Sequence, residues 1–394
     1  MLQCLRQNLF RNRTLNGFLA LSAGFFLLYA LTAQRGLGWG DSGEFQYRIL
    51  EVPLSAGLSS GCDSFATAHP LYVLFGKLVA HTPFEVTLLS SFFGALAVGG
   101  LFLCTRKVHL AILFGLSHAF WWLSCVAEVY TMMTAFIAFE TFFLLRFLKR
   151  GSRSDLAVMM FLNGLDLCVH NVAMLSLPVY GIMLLLRGRR CWVEIPVAAV
   201  SWAVGASLWI YGLFSRGVTD VLFGGYGGAA LGFWPENWTI AGFNYALTLL
   251  SVAVPAMMFV RCRRMGGRPL SGMPWEIVAL ALVHAFFWAR YFNVSQFTFF
   301  LPTLFFLYML LSHTEMRVAG LMVQGGIQLL LPIAACILLS GLTVPEWYSY
   351  HAYRNEASYF ALPWKFHDDS ADRCAMSLGG VWNGYPNCQR GEGL

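Results

Sequence analysis

Residues 15–33 read LNGFLALSAGFFLLYALTA, an apolar run without a charged side chain. In hydrocarbon every backbone N–H and C=O group must find its partner within its own segment, so this run predicts a membrane-spanning helix. Similar runs recur along all 394 residues, of which 58% are hydrophobic and 12% charged. The mean hydropathy is +0.61. We therefore predict an all-α polytopic membrane protein, which excludes the soluble enzyme folds.

Clusters of basic residues give the order and orientation of the spans. Arg6, Arg11 and Arg13 precede the first run, and further Lys and Arg clusters separate later runs. Because basic residues collect on the cytoplasmic side, the N-terminus is predicted to be cytoplasmic. All clusters lie on that side if the chain has about eleven spans, near 15–33, 85–104, 109–126, 129–148, 155–169, 172–186, 193–214, 239–260, 275–289, 294–312 and 318–342. The C-terminus is then outside, and the net charge of +6 reflects topology and predicts no nucleic-acid partner.

Two long segments are predicted to lie outside the membrane. The first outer loop, residues 34–83, is too long for a hairpin connection. Its stretch from Leu71 to Ala80 is short and apolar on one face, which predicts an interfacial helix. Residues 1–342 are predicted to form one membrane domain, and residues 343–394 an aromatic-rich outer tail that packs on it.

Three cysteines fall on the predicted outer side: Cys62, Cys374 and Cys388. Three thiols allow at most one intramolecular disulfide. Cys374 and Cys388 would close a short loop and are the preferred pair.

A pair of carboxylates follows the first span, in the stretch GDSGEF at residues 40–45. Asp41 and Glu44 are three residues apart, so they share one face if the chain is helical there. Two neighbouring carboxylates can raise one pKa, bind a divalent cation or act as a general base. The simpler alternative is a pair of solvated loop residues. His69 belongs to the same loop, which favours a functional cluster.

Other polar residues fall at the remaining predicted outer turns: Glu128, Tyr130, His170, Asn171 and Arg290. An acidic residue between two spans is costly if it lies deep in the bilayer and much less so at its edge. Arg290 lies opposite the basic clusters, and a permanent charge there could bind an anionic phosphate. The chain contains neither CxxC nor HExxH, so no zinc site is predicted.

Four motifs in order carry a family resemblance. They are GDSGEF at 40–45, HPLY at 69–72, AEVYTM at 127–132 and the His–Asn pair at 170–171. This order resembles that of bacterial membrane proteins related to protein O-mannosyltransferases, which belong to the GT-C class of polytopic glycosyltransferases. The resemblance covers roughly residues 15–190. It implies a GT-C-like fold.

The resemblance also implies an activity. A mannose-like hexose would pass from a polyprenyl-phosphate carrier to an acceptor hydroxyl, on a protein or a glycan, at the outer face of a bacterial inner membrane. A lipid-linked donor agrees with the absence of GxGxxG and P-loop motifs, because no nucleotide has to be bound.

The implied roles follow from this chemistry. Asp41 corresponds to the acidic residue of the first outer loop and would take the proton of the attacking hydroxyl, while Glu44 would position the acceptor or shape the site. Charge on the departing phosphate needs cations or hydrogen-bond donors, for which Arg290, His69 and His170 are candidates. The full predicted donor-binding set is His69, Glu128, Tyr130, His170, Asn171 and Arg290. The resemblance singles out no particular cofactor, and a divalent cation between Asp41 and Glu128 is an open alternative.

Two other classes of function compete with this one. In a transporter or lipid-linked sugar flippase, Asp41, Glu128 and His170 would form a proton or substrate relay. The polar residues gather at one predicted face instead of the midplane, and no inverted halves are visible, which disfavours this class. A non-catalytic scaffold whose tail binds a periplasmic partner is the third class, and it predicts that Asp41→Asn is harmless.

Overall fold

The structure is a computed structural model, and most of its described residues lie in helices. The described residues are 2–36, 38, 41–54, 68–223, 238–264, 270, 272–291, 296–312, 318–339 and 362–365. Every regular element within these ranges is an α-helix or a 3-10 helix. The predicted all-α fold class is confirmed.

The α-helices, in chain order, are α1 (Leu2–Thr32), α2 (Asp41–Leu50), α3 (Pro70–Val79), α4 (Pro83–Thr105), α5 (Val108–Gly115), α6 (His118–Ser124), α7 (Tyr130–Arg150), α8 (Arg153–Leu167), α9 (Leu177–Leu185), α10 (Cys191–Gly205), α11 (Ser207–Arg216), α12 (Val218–Phe223), α13 (Trp238–Arg264), α14 (Trp275–Arg290), α15 (Leu301–Leu310) and α16 (Val318–Leu339). Short 3-10 helices cover Asn171–Ser176, Gly188–Arg190 and Gln296–Phe300.

Four of the described helical segments are long and apolar enough to cross a membrane: Arg13–Thr32, Pro83–Thr105, Tyr130–Arg150 and Asn244–Arg264. Each coincides with a predicted span. A fifth candidate is the pair Asn171–Leu185 and Gly188–Gly205, which is bent by 120°. The chain is therefore an integral membrane protein with several apolar helices, and the count of eleven spans stays a prediction.

The predicted span at 109–126 is wrong as a single helix. The structure divides it into α5 and α6, with a break after Gly115. Tyr29 of α1 donates a hydrogen bond to the carbonyl of Gly115 (2.8 Å), and Ser117 donates one to the carbonyl of Phe114 (2.7 Å). These side chains replace the partners that a continuous helix would supply, so the break leaves these two carbonyls satisfied.

Close helix packing builds the core of the membrane domain. Helices α1, α4, α7, α8 and α10 each pack against the next in this order. A Cβ atom on Gly164 would lie 2.3 Å from the carbonyl oxygen of Trp202, and one on Gly205 would lie 2.2 Å from that of Phe161. Only glycine fits at these two positions, which lets the α8 and α10 backbones touch.

The buried carboxyl group of Glu140 is satisfied inside this core. It accepts hydrogen bonds from Asn163 Nδ2 (3.1 Å) and from the hydroxyl of Tyr180. Trp202 of α10 in turn donates to Asn163 Oδ1 (3.1 Å). This network joins α7, α8, α9 and α10, so we assign Glu140 a structural role.

The short helix predicted over Leu71–Ala80 is present as α3, and its position at the membrane interface stays a prediction. It packs against α2 through the rings of Phe45 and Tyr72, whose centroids lie 5.1 Å apart. Its other face exposes apolar side chains, with Leu78 70% exposed. A helix that lies on a membrane needs such a face.

The tail is described only at residues 362–365. The backbone N–H of Lys365 donates to the carbonyl of Thr32 at the end of α1 (2.6 Å), and Trp364 packs on Trp121 (ring centroids 5.7 Å apart). Trp364 and Lys365 therefore contact the membrane domain. The division at residue 342 stays a prediction, and the predicted Cys374–Cys388 disulfide lies outside the described residues.

Candidate functional site

Helix α2 presents the two carboxylates of the first loop. Asp41 is its first residue and is exposed, and Glu44 lies one turn later and is half-buried. Glu44 pairs with Arg48 (3.5 Å), whose Nη2 donates to the carbonyl of Ala68. Gln46 ties the helix down by donating to the carbonyls of Gly36 and Pro83. Asp41 is thus a solvent-exposed carboxylate on a helix whose position is fixed by these contacts.

Glu128 brings a third acidic side chain to the same place. It lies in the loop between α6 and α7, is 8% exposed, and its Oε1 accepts a hydrogen bond from Ser42 of α2 (3.4 Å). Ser90 of α4 holds its backbone by donating to the Glu128 carbonyl (2.8 Å) and accepting from its N–H (2.9 Å). Burial, followed by the charge of Asp41, raises the pKa of Glu128 well above its ordinary value. Burial and the charge of Asp41 therefore favour the neutral form of the Glu128 carboxyl group, next to the exposed carboxylate of Asp41.

An aromatic wall continues from this acidic group. The rings of His69 and His170 stack with centroids 5.1 Å apart, and Tyr130 lies 5.6 Å from His170. Phe299 contacts Tyr130 (5.2 Å), His170 (5.4 Å) and Tyr291 (4.5 Å). The wall joins the start of α3, the start of α7, the turn after α8 and the 3-10 helix Gln296–Phe300. Motifs far apart in the sequence meet here.

The two histidines are neutral. Burial lowers the pKa of His69 to about 4, with the nearby charge of Arg48 acting in the same direction and the hydrogen bond to Val169 opposing it. Burial and the neighbouring His69 lower the pKa of His170 well below its ordinary value. Both rings can offer hydrogen bonds to a substrate, but at physiological pH they offer no positive charge.

The remaining predicted residues lie at the edge of the site. Arg290 is the half-buried last residue of α14, and the next residue, Tyr291, packs on Phe299. Asn171 donates to the carbonyl of Val221 (2.8 Å) and accepts from the indole N–H of Trp209 (2.9 Å). The Asn171 amide therefore fastens α11 and α12 to this turn.

Sequence reasoning missed several members of the site. Arg48 had a usable signal, because it lies four residues after Glu44 and would face it if this stretch is helical. Ser90 and Phe299 carry no motif, and only the packing of α4 and of the 3-10 helix against the site reveals them. No group of three or more His, Cys, Asp or Glu side chains in the described ranges has metal-binding geometry. A cation between Asp41 and Glu128 stays a prediction.

Comparisons with known proteins agree with this architecture. Residues 106–192 match the family described as "Protein O-mannosyl-transferase TMEM260 N-terminal domain". ArnT from Cupriavidus metallidurans, a GT-C glycosyltransferase, has a similar fold. Its structure bound to undecaprenyl phosphate superposes with a TM-score of 0.59 at 14% identity, covering 87% of this chain and 68% of ArnT. Its apo structure gives a TM-score of 0.57 at 15% identity, covering 88% and 69%. No curated protein matched the chain.

Together these comparisons confirm the resemblance found in the sequence. The fold is similar to that of ArnT, and the segment 106–192, which carries Glu128, Tyr130, His170 and Asn171, is similar to the O-mannosyltransferase family model.

Proposed function

We propose that the chain is a membrane glycosyltransferase that moves a mannose-like hexose from a polyprenyl-phosphate carrier to an acceptor hydroxyl at the outer face of a bacterial inner membrane. The observation that carries the proposal is the juxtaposition of Asp41, an exposed carboxylate, with Glu128, a buried carboxyl group whose pKa is raised, beside the aromatic wall. The GT-C fold and the undecaprenyl phosphate bound to ArnT support a lipid-linked donor.

Asp41 is the proposed general base. The acceptor oxygen forms a bond to the anomeric carbon, the bond from that carbon to the carrier phosphate breaks, and the hydroxyl proton moves to Asp41. A carboxylate takes this proton late, when the attacking oxygen has become acidic, and such catalysis contributes about 10²- to 10⁴-fold. Glu44, held by Arg48, shapes the acceptor side of the site.

The donor side needs groups that tolerate negative charge. An ionised Glu128 would repel a phosphate, whereas the neutral acid donates a hydrogen bond to one of its oxygens. Arg290 at the edge of the site supplies positive charge for the departing phosphate. Tyr130 and the histidines line the space between these groups and Asp41.

The transporter or flippase remains the second candidate, and one experiment separates the two. Purified protein in detergent is incubated with radiolabelled polyprenyl-phosphate mannose and membrane acceptors. Detergent micelles do not separate two aqueous compartments, so transport alone cannot transfer the radiolabelled sugar to an acceptor. Labelled acceptor is the expected result. Carrier that is bound but never consumed, across several sugars, would contradict the glycosyltransferase.

A further inference from the structure

His69 and His170 form a stacked pair whose tautomers are set by the backbone. Nδ1 of His69 lies 2.6 Å from the carbonyl oxygen of Val169, and a carbonyl only accepts, so this nitrogen carries the proton. Nδ1 of His170 accepts from the N–H of Val172 (3.1 Å), so it carries none. In neutral rings the remaining nitrogens follow: Nε2 of His69 is an acceptor and Nε2–H of His170 is a donor.

These two Nε2 atoms are available to a ligand. Both rings are half-buried, and within the described ranges neither Nε2 has a hydrogen-bond partner. Arg48 from α2 faces His69, and Tyr130 from α7 packs on His170. The site therefore presents one acceptor and one donor side by side, in a stack that cannot easily hold two positive charges.

We propose that this pair recognises the head of the glycosylated carrier, with Nε2–H of His170 donating to an anionic phosphate oxygen and Nε2 of His69 accepting from a sugar hydroxyl. The assignment rests on the proposed function. Two imidazolium rings would attract two anions. An adjacent acceptor and donor instead match a hydroxyl beside an oxyanion, which a hexose linked to phosphate offers.

The local backbone makes asparagine a selective test at both positions. His69 has φ 47° and ψ 53°, a left-handed conformation that asparagine tolerates better than most residues, and the asparagine amide can still donate to Val169. His170 is the N-cap of the 3-10 helix Asn171–Ser176, and asparagine is a favoured N-cap that can still accept from Val172. Each substitution therefore keeps the backbone contact and removes the Nε2 atom.

The experiment measures the binding of undecaprenyl phosphate and of undecaprenyl-phosphate mannose to purified protein. His170→Asn should weaken the binding of both lipids roughly 10- to 100-fold, since it removes a hydrogen bond to a charged group. His69→Asn should weaken only the mannosylated lipid, by roughly 2- to 10-fold. His81→Asn, at an exposed histidine in the loop before α4, is the matched control and should change neither. Wild-type affinity in both variants, or an equal loss for both lipids in His69→Asn, would overturn the proposal.

A second measurement needs no variant. Imidazole ¹⁵N NMR of the wild-type protein at pH 7 should show His69 protonated at Nδ1 and His170 at Nε2; the reversed tautomers or an imidazolium ring would overturn the pairing.

Failure of the proposed function would give a different result from failure of the histidine pair. Wild-type protein that binds both lipids and transfers no sugar contradicts the transferase, while the asparagine variants still decide the pair. Wild-type protein that binds neither lipid contradicts both.

Discussion

The ion pair inside α2 offers the sharpest test of how the site is held together. Arg48 and Glu44 lie 3.5 Å apart, with side chains 6% and 13% exposed, and Arg48 also donates to the carbonyl of Ala68. Arg48→Met keeps most of the apolar length of the side chain. It leaves a largely buried carboxylate without its counter-charge and a carbonyl without its donor.

The magnitude follows from these contacts. Removing one partner of a buried ion pair costs about 3–5 kcal/mol. Because Glu44 keeps some contact with solvent, we expect Arg48→Met to lower the free energy of unfolding by about 3 kcal/mol. Glu44→Gln should cost somewhat less, since Arg48 keeps its bond to Ala68. The double variant should cost less than the sum of the two by about 1–2 kcal/mol, because neither partner then stays buried alone.

The assay measures the reversible unfolding of the purified protein in mixed micelles as a denaturing detergent is titrated in. Wild type, both single variants and the double variant together form a double-mutant cycle. An Arg48→Met variant within about 0.5 kcal/mol of wild type would refute the reasoning. So would fully additive costs, which would mean that the two side chains do not interact.

Three further predictions concern groups around the site. Burial raises the pKa of Glu128, so the wild-type protein should lose free energy of unfolding as the pH rises above the ordinary value of 4.5, whereas the Glu128→Gln variant should not. The variant should therefore be at least as stable as wild type at pH 8, with a smaller difference between the two at pH 5. A variant less stable than wild type at pH 8 would contradict the raised pKa of Glu128. Ser90→Ala removes the hydroxyl group that forms hydrogen bonds with Tyr72 and with the backbone N–H and C=O groups of Glu128, so it should lower the free energy of unfolding by about 2 kcal/mol. An unchanged midpoint of the unfolding transition would contradict this role of Ser90. Trp364→Ala removes the contact with Trp121, so limited proteolysis should cleave residues 343–394 faster than in wild type, and equal rates would show that this contact does not hold the tail.

Composition and motif order were enough to predict the fold class and the motifs that form the candidate site, for physical reasons. Apolar runs have few alternatives to helix in hydrocarbon, so the all-α class followed from the sequence. The short helix after His69 was predicted from its local apolar pattern, whereas the helix that begins at Asp41 was considered only as a condition for Asp41 and Glu44 to share a face. The motifs around Asp41, His69, Glu128 and His170 were predicted to lie on one side of the membrane, and the structure brings Ser42 next to Glu128 and His69 next to His170.

The parts that sequence reasoning missed depend on contacts between distant residues. The break after Gly115 is stabilised by Tyr29 from another helix, and no local sequence pattern predicts a partner so distant in the chain. The neutral state of His69 and His170 arises from burial, which only the packed structure determines. Phe299 contacts the site from the C-terminal half, a region in which the sequence offered hydropathy and no motif.

The central claim is that Asp41 acts as the general base for sugar transfer. The most direct measurement compares the transfer of labelled mannose from its polyprenyl-phosphate carrier by wild type, by Asp41→Asn and by the control Glu51→Gln, an exposed carboxylate that follows α2. We predict that Asp41→Asn lowers the transfer rate by about 10²-fold or more with carrier binding and folding retained, while Glu51→Gln matches wild type. Equal transfer rates by Asp41→Asn and wild type would contradict the account.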